Sequence, residues 1–199
     1  MDHPLLLATR NAHKTREFSE ILGQDFAVRD LSGESEAPVI EETGSTFAEN
    51  AVLKAVGISR RFPGLIVADD SGLEVDALGG APGVYSARYA GPHATDGENI
   101  ARLLRELRRF PDEQPFTSRF RCVLALAREG QPLDTFEGVI EGTIVDSPRG
   151  SSGFGYDPIF QPLGLTQTFA ELSPDQKNRI SHRARAIRSL RAALLSRLT

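Results

Sequence analysis

An apolar run that leads directly into two adjacent acids is the feature that most limits how this chain can fold. Residues 65–68 have the character of a strand buried in a sheet. Open α/β sheets bind ligands beyond the carboxyl ends of their strands, so Asp69 and Asp70 are predicted to emerge there. Neighbouring carboxylates repel each other unless water or a cation screens them, and Mg²⁺ suits such oxygen ligands. The alternative is a solvated turn, because Asp-Ser-Gly is common turn chemistry.

The composition is that of a single globular domain. With 199 residues, of which 40% are hydrophobic and 25% charged, the chain can bury a sizeable core. The formal net charge of −4 gives no general attraction to nucleic acid or to an anionic membrane, so neither partner is predicted. The single cysteine, Cys122, cannot form an internal disulfide, which favours a cytoplasmic location. We recognise no targeting segment and no apolar stretch of about 20 residues that would span a bilayer.

A strand, a short loop and a helix start are predicted near the beginning of the chain. Residues 5–8 indicate a buried strand, and Asn11 is predicted to cap a helix whose apolar stripe includes Phe18 and Leu22. A helix start attracts anions, because its free N–H groups and its dipole point at the ligand. Lys14 in the first turn is unfavourable for that dipole unless a phosphate compensates it. The alternative for Lys14 is an ordinary solvated surface lysine.

The second helix is predicted to begin at the capping box formed by Thr46 and Glu49. A polar loop that contains Glu41, Glu42 and Gly44 precedes it, after a short strand over 26–31. The predicted buried stripe of this helix is Ala48, Ala51, Val52 and Ala55. On that pattern Asn50 and Lys54 share another face, from which Lys54 either reaches a phosphate or remains solvated.

The second half of the chain predicts a mixed sheet. Residues 73–78 resume strand alternation, and long strands over 116–127 and 133–141 form an antiparallel hairpin. Between them, a capping box at Thr95 and Glu98 starts a third helix. One last helix is predicted to begin at Ser173, with a buried stripe that consists of Ile180, Ala184, Ile187, Leu190, Leu194 and Leu198.

A glycine-rich segment over 150–158 carries two aromatic residues and an acid. Phe154 stands between two glycines, which suggests a stacking platform that a ligand approaches closely. The alternative is a tight turn with Phe154 packed inwards. Lys177, His182 and Arg183 form a basic group on the last helix, at its end nearer this segment.

Several common enzyme signatures are missing. The sequence has no Gly-Lys-Ser/Thr phosphate loop, no Gly-x-Gly-x-x-Gly, no zinc-type cysteine pairs and no His-Glu-x-x-His. Gly-x-Ser-x-Gly is also absent, which counts against a serine hydrolase. The remaining pattern combines lysines for phosphates, carboxylates for a metal, and an aromatic with cations for a base.

This combination resembles the inosine triphosphate pyrophosphatase family, the Ham1-like purine nucleotide pyrophosphatases. The matching blocks are residues 9–14, 41–44 with Phe47, 49–51, 54–55, 68–73, 79–83, 153–158 and 181–183. The resemblance implies a two-lobed α/β fold with an elongated mixed β-sheet, flanking helices and a central cleft, usually as a homodimer. It also implies Mg²⁺-dependent hydrolysis of ITP, dITP and XTP to the monophosphate and pyrophosphate, which keeps them out of DNA and RNA.

The resemblance also assigns residues to roles. Glu42 and Asp70 would hold the metal, with Asp70 as the general base, and Asp69, Arg88 and Glu49 would support them. The residues that would bind substrate are Thr9, Arg10, Asn11, Ala12, His13, Lys14, Lys54, Ser71, Phe154, Gly155, Tyr156, Asp157, Lys177, His182 and Arg183. Donors such as Lys177 can donate a hydrogen bond to the oxygen of hypoxanthine or xanthine, whereas the amino group of adenine would face them with a second donor.

Three alternatives remain open at this point. A Maf-like pyrophosphatase would act on ordinary pyrimidine or modified nucleotides through a similar metal site. A non-catalytic nucleotide sensor would use the same cleft. A haloacid-dehalogenase-like phosphatase is less well supported, because it needs an Asp-x-Asp pattern after the first strand, where this chain has Thr9.

Overall fold

The computed structural model describes residues 3–197, so the predicted stripe residue Leu198 lies outside the described range. Within that range the strands are β1 (His3–Leu7), β2 (Phe26–Asp30), β3 (Leu65–Val75), β4 (Phe116–Arg128), β5 (Gln131–Ile144) and β6 (Phe160–Pro162). The α-helices are α1 (Ala12–Leu22), α2 (Phe47–Ser59), α3 (Asp96–Leu107), α4 (Pro174–Ile180) and α5 (His182–Ser196). Over residues 3–197, no helix is both long enough and apolar enough to cross a membrane.

The strands form one mixed sheet in the order β2-β1-β3-β4-β5-β6. β1 runs parallel to β2 and to β3, whereas β5 and β6 are antiparallel. Glu129 and Gly130 connect β4 to β5, and both have positive φ, as a tight hairpin turn requires. The prediction of an α/β fold with a mixed β-sheet is confirmed.

The chain divides into two compact units. The first comprises the described residues up to Asp70, Cys122–Gly138, and those from Arg183 onwards. The second comprises Ser71–Arg121 and Val139–His182. The central cleft that the sequence predicts stays a prediction.

The alternation of β1 explains the core of the first unit. Leu5 and Leu7 are buried in a cluster with Phe18 of α1 and Leu190 of α5. Leu6 belongs instead to a cluster with residues of α2 and β3, including Ile58 and Ile66. Successive strand residues point to opposite faces of a sheet, so β1 has apolar partners on both faces.

The core of the second unit lies around α3. On one face of this helix, Ile100, Leu103 and Leu107 are all buried. They belong to one cluster with Leu73 of β3 and Phe160 of β6. The capping box of Thr95 and Glu98 is also present, which places the start of α3 where the sequence predicts it.

β3 differs from the prediction at its centre. The sequence predicts that this strand ends at Ala68, whereas it runs through Asp69 and Asp70 as far as Val75. The chain stays extended because both carboxylates are buried, each 7% exposed, and paired with lysines. The prediction that the two acids lie at the end of a strand and the alternative of a solvated turn are therefore both wrong. The segment Asp76–Leu78, predicted as strand, forms a 3₁₀ turn.

The last helix that the sequence predicts is two helices in the structure. Its capping box at Ser173 and Gln176 is confirmed, but α4 ends at Ile180, and the next residue, Ser181, adopts an extended conformation with ψ of 158°. Serine suits such a break, because it competes for backbone hydrogen bonds inside helices. Lys177 therefore lies on α4, whereas His182 and Arg183 begin α5.

Candidate functional site

The N-terminus of α1 presents a lysine to the sheet. Asn11 caps the helix as predicted, and its Oδ1 accepts hydrogen bonds from the N–H groups of His13 and Lys14 at 3.0 and 3.3 Å. The Lys14 ammonium then donates to Oδ1 of Asp69. The charge that the sequence expects a phosphate to balance is thus already balanced by a protein carboxylate.

Asp69 is the centre of a buried charge network in the first unit. Its Oδ2 accepts hydrogen bonds from Nε of Arg183 at 2.8 Å and from Sγ of Cys122 at 3.2 Å. Arg183 in turn donates from Nη1 to Glu17 at 2.6 Å. Burial alone would raise the pKa of Asp69, but the charges of Arg183 and Lys14 hold that pKa well below its ordinary value. Asp69 is therefore a fixed anion.

Cys122 is fully buried, as its apolar surroundings predict. Burial, together with the nearby charge of Asp69, raises the pKa of its thiol well above the ordinary value. The thiol therefore stays protonated and acts as a hydrogen-bond donor rather than as a nucleophile.

Lys54 joins the two carboxylates that the sequence assigns to a metal. Its Nζ donates to Oε1 of Glu42 at 2.7 Å, to Oδ1 of Asp70 at 2.9 Å and to the backbone carbonyl of Asp69 at 2.9 Å. Burial opposes the charge of Lys54, but Asp70 and Glu42 outweigh it and raise the lysine pKa. The solvated alternative for Lys54 is wrong, because only 14% of its side chain is exposed.

Asp70 differs from its neighbour in its surroundings and in the direction of its pKa shift. Burial raises the pKa of Asp70 above its ordinary value, and Lys54 only partly offsets this effect. Its Oδ2 is enclosed and has no hydrogen-bond partner among residues 3–197. A buried carboxylate oxygen without a donor is available for a proton, a water or a cation.

The loop that carries Glu42 is fixed to the first turn of α2. Glu49 completes the predicted capping box, and its Oε2 also accepts from the Ser45 N–H at 2.7 Å. The Gly44 N–H donates to Oδ1 of Asn50 at 2.8 Å. Sequence reasoning missed this second contact because it placed Asn50 outside the buried stripe, whereas Ala48 is exposed and Asn50 fully buried.

The other predicted phosphate-binding residues lie around the start of α1. Thr9 Oγ1 accepts a hydrogen bond from the Asn11 N–H at 3.1 Å, and Arg10 donates to the Ala37 carbonyl at 3.0 Å. Ala12 and His13 are exposed in the first turn. Ser71 follows Asp70 in β3 and is half-buried.

In the second unit, the glycine-rich loop contains one partner of a buried ion pair. Oδ2 of Asp157 accepts hydrogen bonds from the Phe154 N–H at 2.9 Å and from Nζ of Lys177 at 2.6 Å. The Lys177 ammonium lies 4.9 Å from the centre of the Phe154 ring, a cation–π distance. Gly153 has φ of +76°, and a Cβ there would collide with Asp157, so glycine is required.

Two further contacts hold the same loop. The Tyr156 hydroxyl donates to the Ser86 carbonyl at 2.9 Å, and burial raises the tyrosine pKa. The Gly155 N–H donates to Oδ2 of Asp96 at 2.7 Å. Asp96 was not among the predicted site residues, because its position in a helix capping sequence explained it fully.

His182 is buried against aromatic rings of the second unit. Its ring stacks on Phe120 with centroids 4.7 Å apart and an angle of 9° between planes. Phe120 also stacks on Phe169, whose ring centre lies 5.6 Å from the Lys177 ammonium. Arg88 lies 5.3 Å from the centre of the Tyr85 ring.

A cavity of about 830 Å³ lies on the α3 side of the glycine-rich loop. Ile100, Leu104, Arg108, Phe154 and Pro158 are among the residues that line it. Lys177 and His182 are not in its lining, so this cavity does not coincide with the predicted base readers.

The geometry therefore separates the predicted residues into two groups. In the first unit, it brings together Lys14, Glu42, Lys54, Asp69, Asp70 and Arg183. In the second unit, it brings together Phe154, Asp157 and Lys177. The predicted contact of Arg183 with a purine stays a prediction; its Nε and Nη1 bind carboxylates.

Glu42 and Asp70 are suited to a hard cation. Two carboxylates meet at Lys54, and one enclosed oxygen of Asp70 has no protein donor among the described residues. No group of three or more His, Cys, Asp or Glu residues within 3–197 is arranged to hold a metal. Mg²⁺ is commonly bound by one or two carboxylates with substrate phosphates and waters, so this donor set fits it.

Proteins of known identity resemble the chain over nearly its whole length. The dITP/XTP pyrophosphatase of Geobacillus kaustophilus (strain HTA426) is 52% identical over 187 residues, 94% of this chain and 91% of that protein. The dITP/XTP pyrophosphatase of Bacillus licheniformis (strain ATCC 14580) is 50% identical over 191 residues, 96% of this chain and 97% of that protein.

A solved structure and a family model agree with these relatives. The structure of a HAM1 protein from Coxiella burnetii matches with a TM-score of 0.87 and 43% identity, covering 98% of this chain and 99% of that one. The model of the Ham1 family matches residues 5–193. The chain therefore belongs to the Ham1 family.

Proposed function

We propose that this protein is a nucleoside triphosphate pyrophosphohydrolase that converts dITP, ITP and XTP to the monophosphate and pyrophosphate. Its membership of the Ham1 family and the names of its relatives support this activity. The observation that carries the proposal is the contact of Lys54 with both Glu42 and Asp70. Through this contact, the cation proposed to bind phosphate lies beside the two acids proposed to hold the metal.

Lys14 and Lys54 are the proposed ligands of the triphosphate. Each ammonium is held by carboxylates in a largely buried position, with 17% and 14% of the side chain exposed. Phosphate oxygens would replace some of these carboxylate contacts and accept the same hydrogen bonds. Prepositioned cations stabilise the charge that develops on phosphoryl oxygens during attack at the α-phosphorus.

Glu42 and Asp70 are the proposed ligands of Mg²⁺. When bound, the ion would supply positive charge to the phosphate oxygens. Lys54 would then release one or both carboxylates and turn to the substrate. Until that exchange, its ammonium donates hydrogen bonds to both acids.

Asp70 is also the proposed proton acceptor. Oδ2 is the atom in question, because Oδ1 accepts from Lys54 whereas Oδ2 has no donor among the described residues. Burial raises the pKa of Asp70, so its carboxylate is a stronger base than an exposed aspartate. The attacking water would transfer its proton to this oxygen.

The glycine-rich loop is the proposed binding segment for the base and sugar. Phe154 offers a ring face for stacking, which is worth about 1–3 kcal/mol per base. Lys177 and His182 are the proposed donors to the oxygen that hypoxanthine and xanthine carry in place of the adenine amino group. The contact of Lys177 with Asp157 supports this role by fixing the ammonium beside Phe154.

One assay tests the proposal against its alternatives. The purified protein is given dITP, XTP, dGTP, dATP, dTTP or UTP, with Mg²⁺ or with a chelator, and pyrophosphate and orthophosphate are detected separately. We expect pyrophosphate from dITP and XTP only when Mg²⁺ is present. Preference for a pyrimidine would favour the Maf-like alternative, orthophosphate a phosphatase, and binding without any product a sensor.

A homodimer and a cytoplasmic location are part of the same proposal. The family resemblance supports the dimer, and light scattering coupled to size-exclusion chromatography tests it. The single cysteine, Cys122, is buried and forms no disulfide, which supports a reducing compartment. Localisation of a tagged full-length chain by fractionation tests the second point.

A further inference from the structure

Asn50 is a fully buried polar side chain that the proposed reaction does not use. Its Oδ1 accepts a hydrogen bond from the Gly44 N–H, whereas its Nδ2 has no partner among residues 3–197. The orientation of the amide is fixed, because a flipped side chain would turn Nδ2 toward the Gly44 donor. A buried donor without an acceptor costs stability, so stability does not explain why an amide occupies this position.

The backbone of the loop lies directly against Asn50. A Cβ at Gly44 would lie 2.6 Å from Cβ of Glu49 and 2.7 Å from Oδ1 of Asn50. Glycine is therefore needed for the loop to come this close to the helix. Gly44 is only two residues after Glu42, so this contact restricts where the Glu42 carboxylate can lie.

Three side chains of α2 hold this loop, and their contacts differ in how easily water, a phosphate or a metal ion would break them. Lys54 holds Glu42 through an ion pair, which a phosphate or a metal ion would break by competing for either partner. Glu49 holds Ser45 and Thr46 through exposed contacts, which water weakens. Asn50 holds Gly44 through a neutral bond at a fully buried side chain. This contact alone among the three is made by a neutral, fully buried side chain.

We propose that Asn50 is a positioning residue that keeps Glu42 in place when Lys54 turns from Glu42 to the substrate. It acts through the hydrogen bond from Gly44 and touches neither the metal nor the nucleotide. The predicted effect of Asn50 on catalysis rests on the proposed function. Its predicted effect on the position of the loop does not.

The test compares Asn50→Ala with a matched control, Ser59→Ala. Ser59 is a buried residue of the same helix whose Oγ accepts the Gly130 N–H at 3.0 Å, and it has no part in the loop. Both variants remove one buried acceptor from a glycine N–H and should lose similar thermal stability. Only Asn50→Ala is expected to speed hydrogen exchange at the Gly44 amide, by about tenfold.

Kinetics with dITP as the probe give the second readout. In Asn50→Ala the Mg²⁺ concentration for half-maximal rate should rise about tenfold, because Glu42 is no longer held in place. Ser59→Ala should keep the wild-type Mg²⁺ requirement. Asn50→Asp, which keeps an acceptor at Oδ1, should retain slow exchange at Gly44. If Asn50→Ala fails to fold, Asn50→Leu, which has a similar volume but accepts no hydrogen bond, takes its place.

The outcomes distinguish this inference from the proposed function. Unchanged Gly44 exchange in Asn50→Ala, or an equal rise in Mg²⁺ requirement in Ser59→Ala, would overturn the positioning role while leaving the enzyme assignment intact. A wild-type protein that releases no pyrophosphate from dITP would instead overturn the proposed function. Gly44 exchange would still decide whether Asn50 holds the loop.

Discussion

Asp69 and Asp70 are adjacent in β3, yet each carboxylate pairs with a different lysine. Asp69 binds Lys14 from the start of α1, whereas Asp70 binds Lys54 from α2. Successive residues of a strand point to opposite faces, so neighbouring acids can reach different helices. The pKa of Asp69 is well below its ordinary value and that of Asp70 is raised. The two neighbouring acids therefore have pKa values shifted in opposite directions.

Asp70→Asn should abolish pyrophosphate release while retaining nucleotide binding. The amide keeps the shape of the side chain but cannot accept a proton, and general-base catalysis is worth about 10²–10⁴-fold in rate. Pyrophosphate release from dITP and equilibrium binding of dITP are measured on the same preparation. Release that stays at the wild-type rate would exclude Asp70 as the base.

The acid limb of the activity profile should lie above the ordinary aspartate pKa of about 3.9. A proton acceptor works only when ionised, and burial raises the pKa of Asp70, so activity falls with decreasing pH at an unusually high value. Lys54→Gln should move this limb higher still, because Lys54 lowers the pKa of Asp70 and Glu42 raises it.

The measurement is kcat/KM for dITP as a function of pH, at an Mg²⁺ concentration well below half-saturation, because a bound cation would itself lower the pKa of Asp70. Lys54→Arg keeps the positive charge and serves as the control, with an acid limb near that of the wild type. A Lys54→Gln enzyme whose acid limb coincides with the wild-type limb would contradict the assignment of that limb to Asp70.

Asp69→Asn should destabilise the fold in a pH-dependent way. The folded pKa of Asp69 lies below its unfolded value, so its ionised form contributes stability above about pH 4. That contribution is lost as pH falls from this value through the folded pKa. The variant leaves Arg183 and Lys14 without their shared partner, and breaking a buried pair costs about 3–5 kcal/mol.

Free energies of unfolding in urea, measured at about pH 7 and about pH 3, test this expectation. The difference between wild type and Asp69→Asn should shrink at the lower pH. Asp76→Asn is the control, because Asp76 pairs with Arg119 at the exposed surface, where such pairs contribute about 0–1 kcal/mol. Equal losses in the two variants would refute the buried network as a source of stability.

Lys177→Met should reduce discrimination between hypoxanthine and adenine. Without the ammonium, the base oxygen of dITP loses a donor, while the adenine amino group no longer meets a donor. We expect the ratio of kcat/KM for dITP over dATP to fall by about tenfold or more. Lys177→Arg, which keeps a donor and the partner for Asp157, should retain most of that ratio. An unchanged ratio in Lys177→Met would remove Lys177 from base selection.

Local features of the sequence predicted much of the fold. The caps at Asn11, Thr46, Thr95 and Ser173 all start helices as predicted, because a cap depends on residues within one turn. The hairpin of β4 and β5 also lies where alternation and the turn glycine indicate. The break at Ser181 was missed, since the apolar spacing continues across it.

The sequence predicted which residues belong to the candidate site, but it did not predict which of them pair with one another. Glu42, Lys54 and Asp70 were named from the sequence, and they lie in contact. Their burial was not foreseen, because charged side chains are normally solvated. Asn50 was missed for a related reason, because a polar residue beside a stripe of alanines is expected on the exposed face of a helix.

The sequence by itself therefore determined where the four capped helices begin, the mixed α/β class and the chemical types of the site residues, because these depend on short-range patterns. Only the tertiary structure decided that β3 continues through its two acids and which lysine each acid binds. Lys14 and Asp69 are 55 residues apart in the chain, and Arg183 and Asp69 are 114 apart. Contacts of that range form only when sheet order brings the segments together, and the burial that results sets the opposite pKa shifts of Asp69 and Asp70.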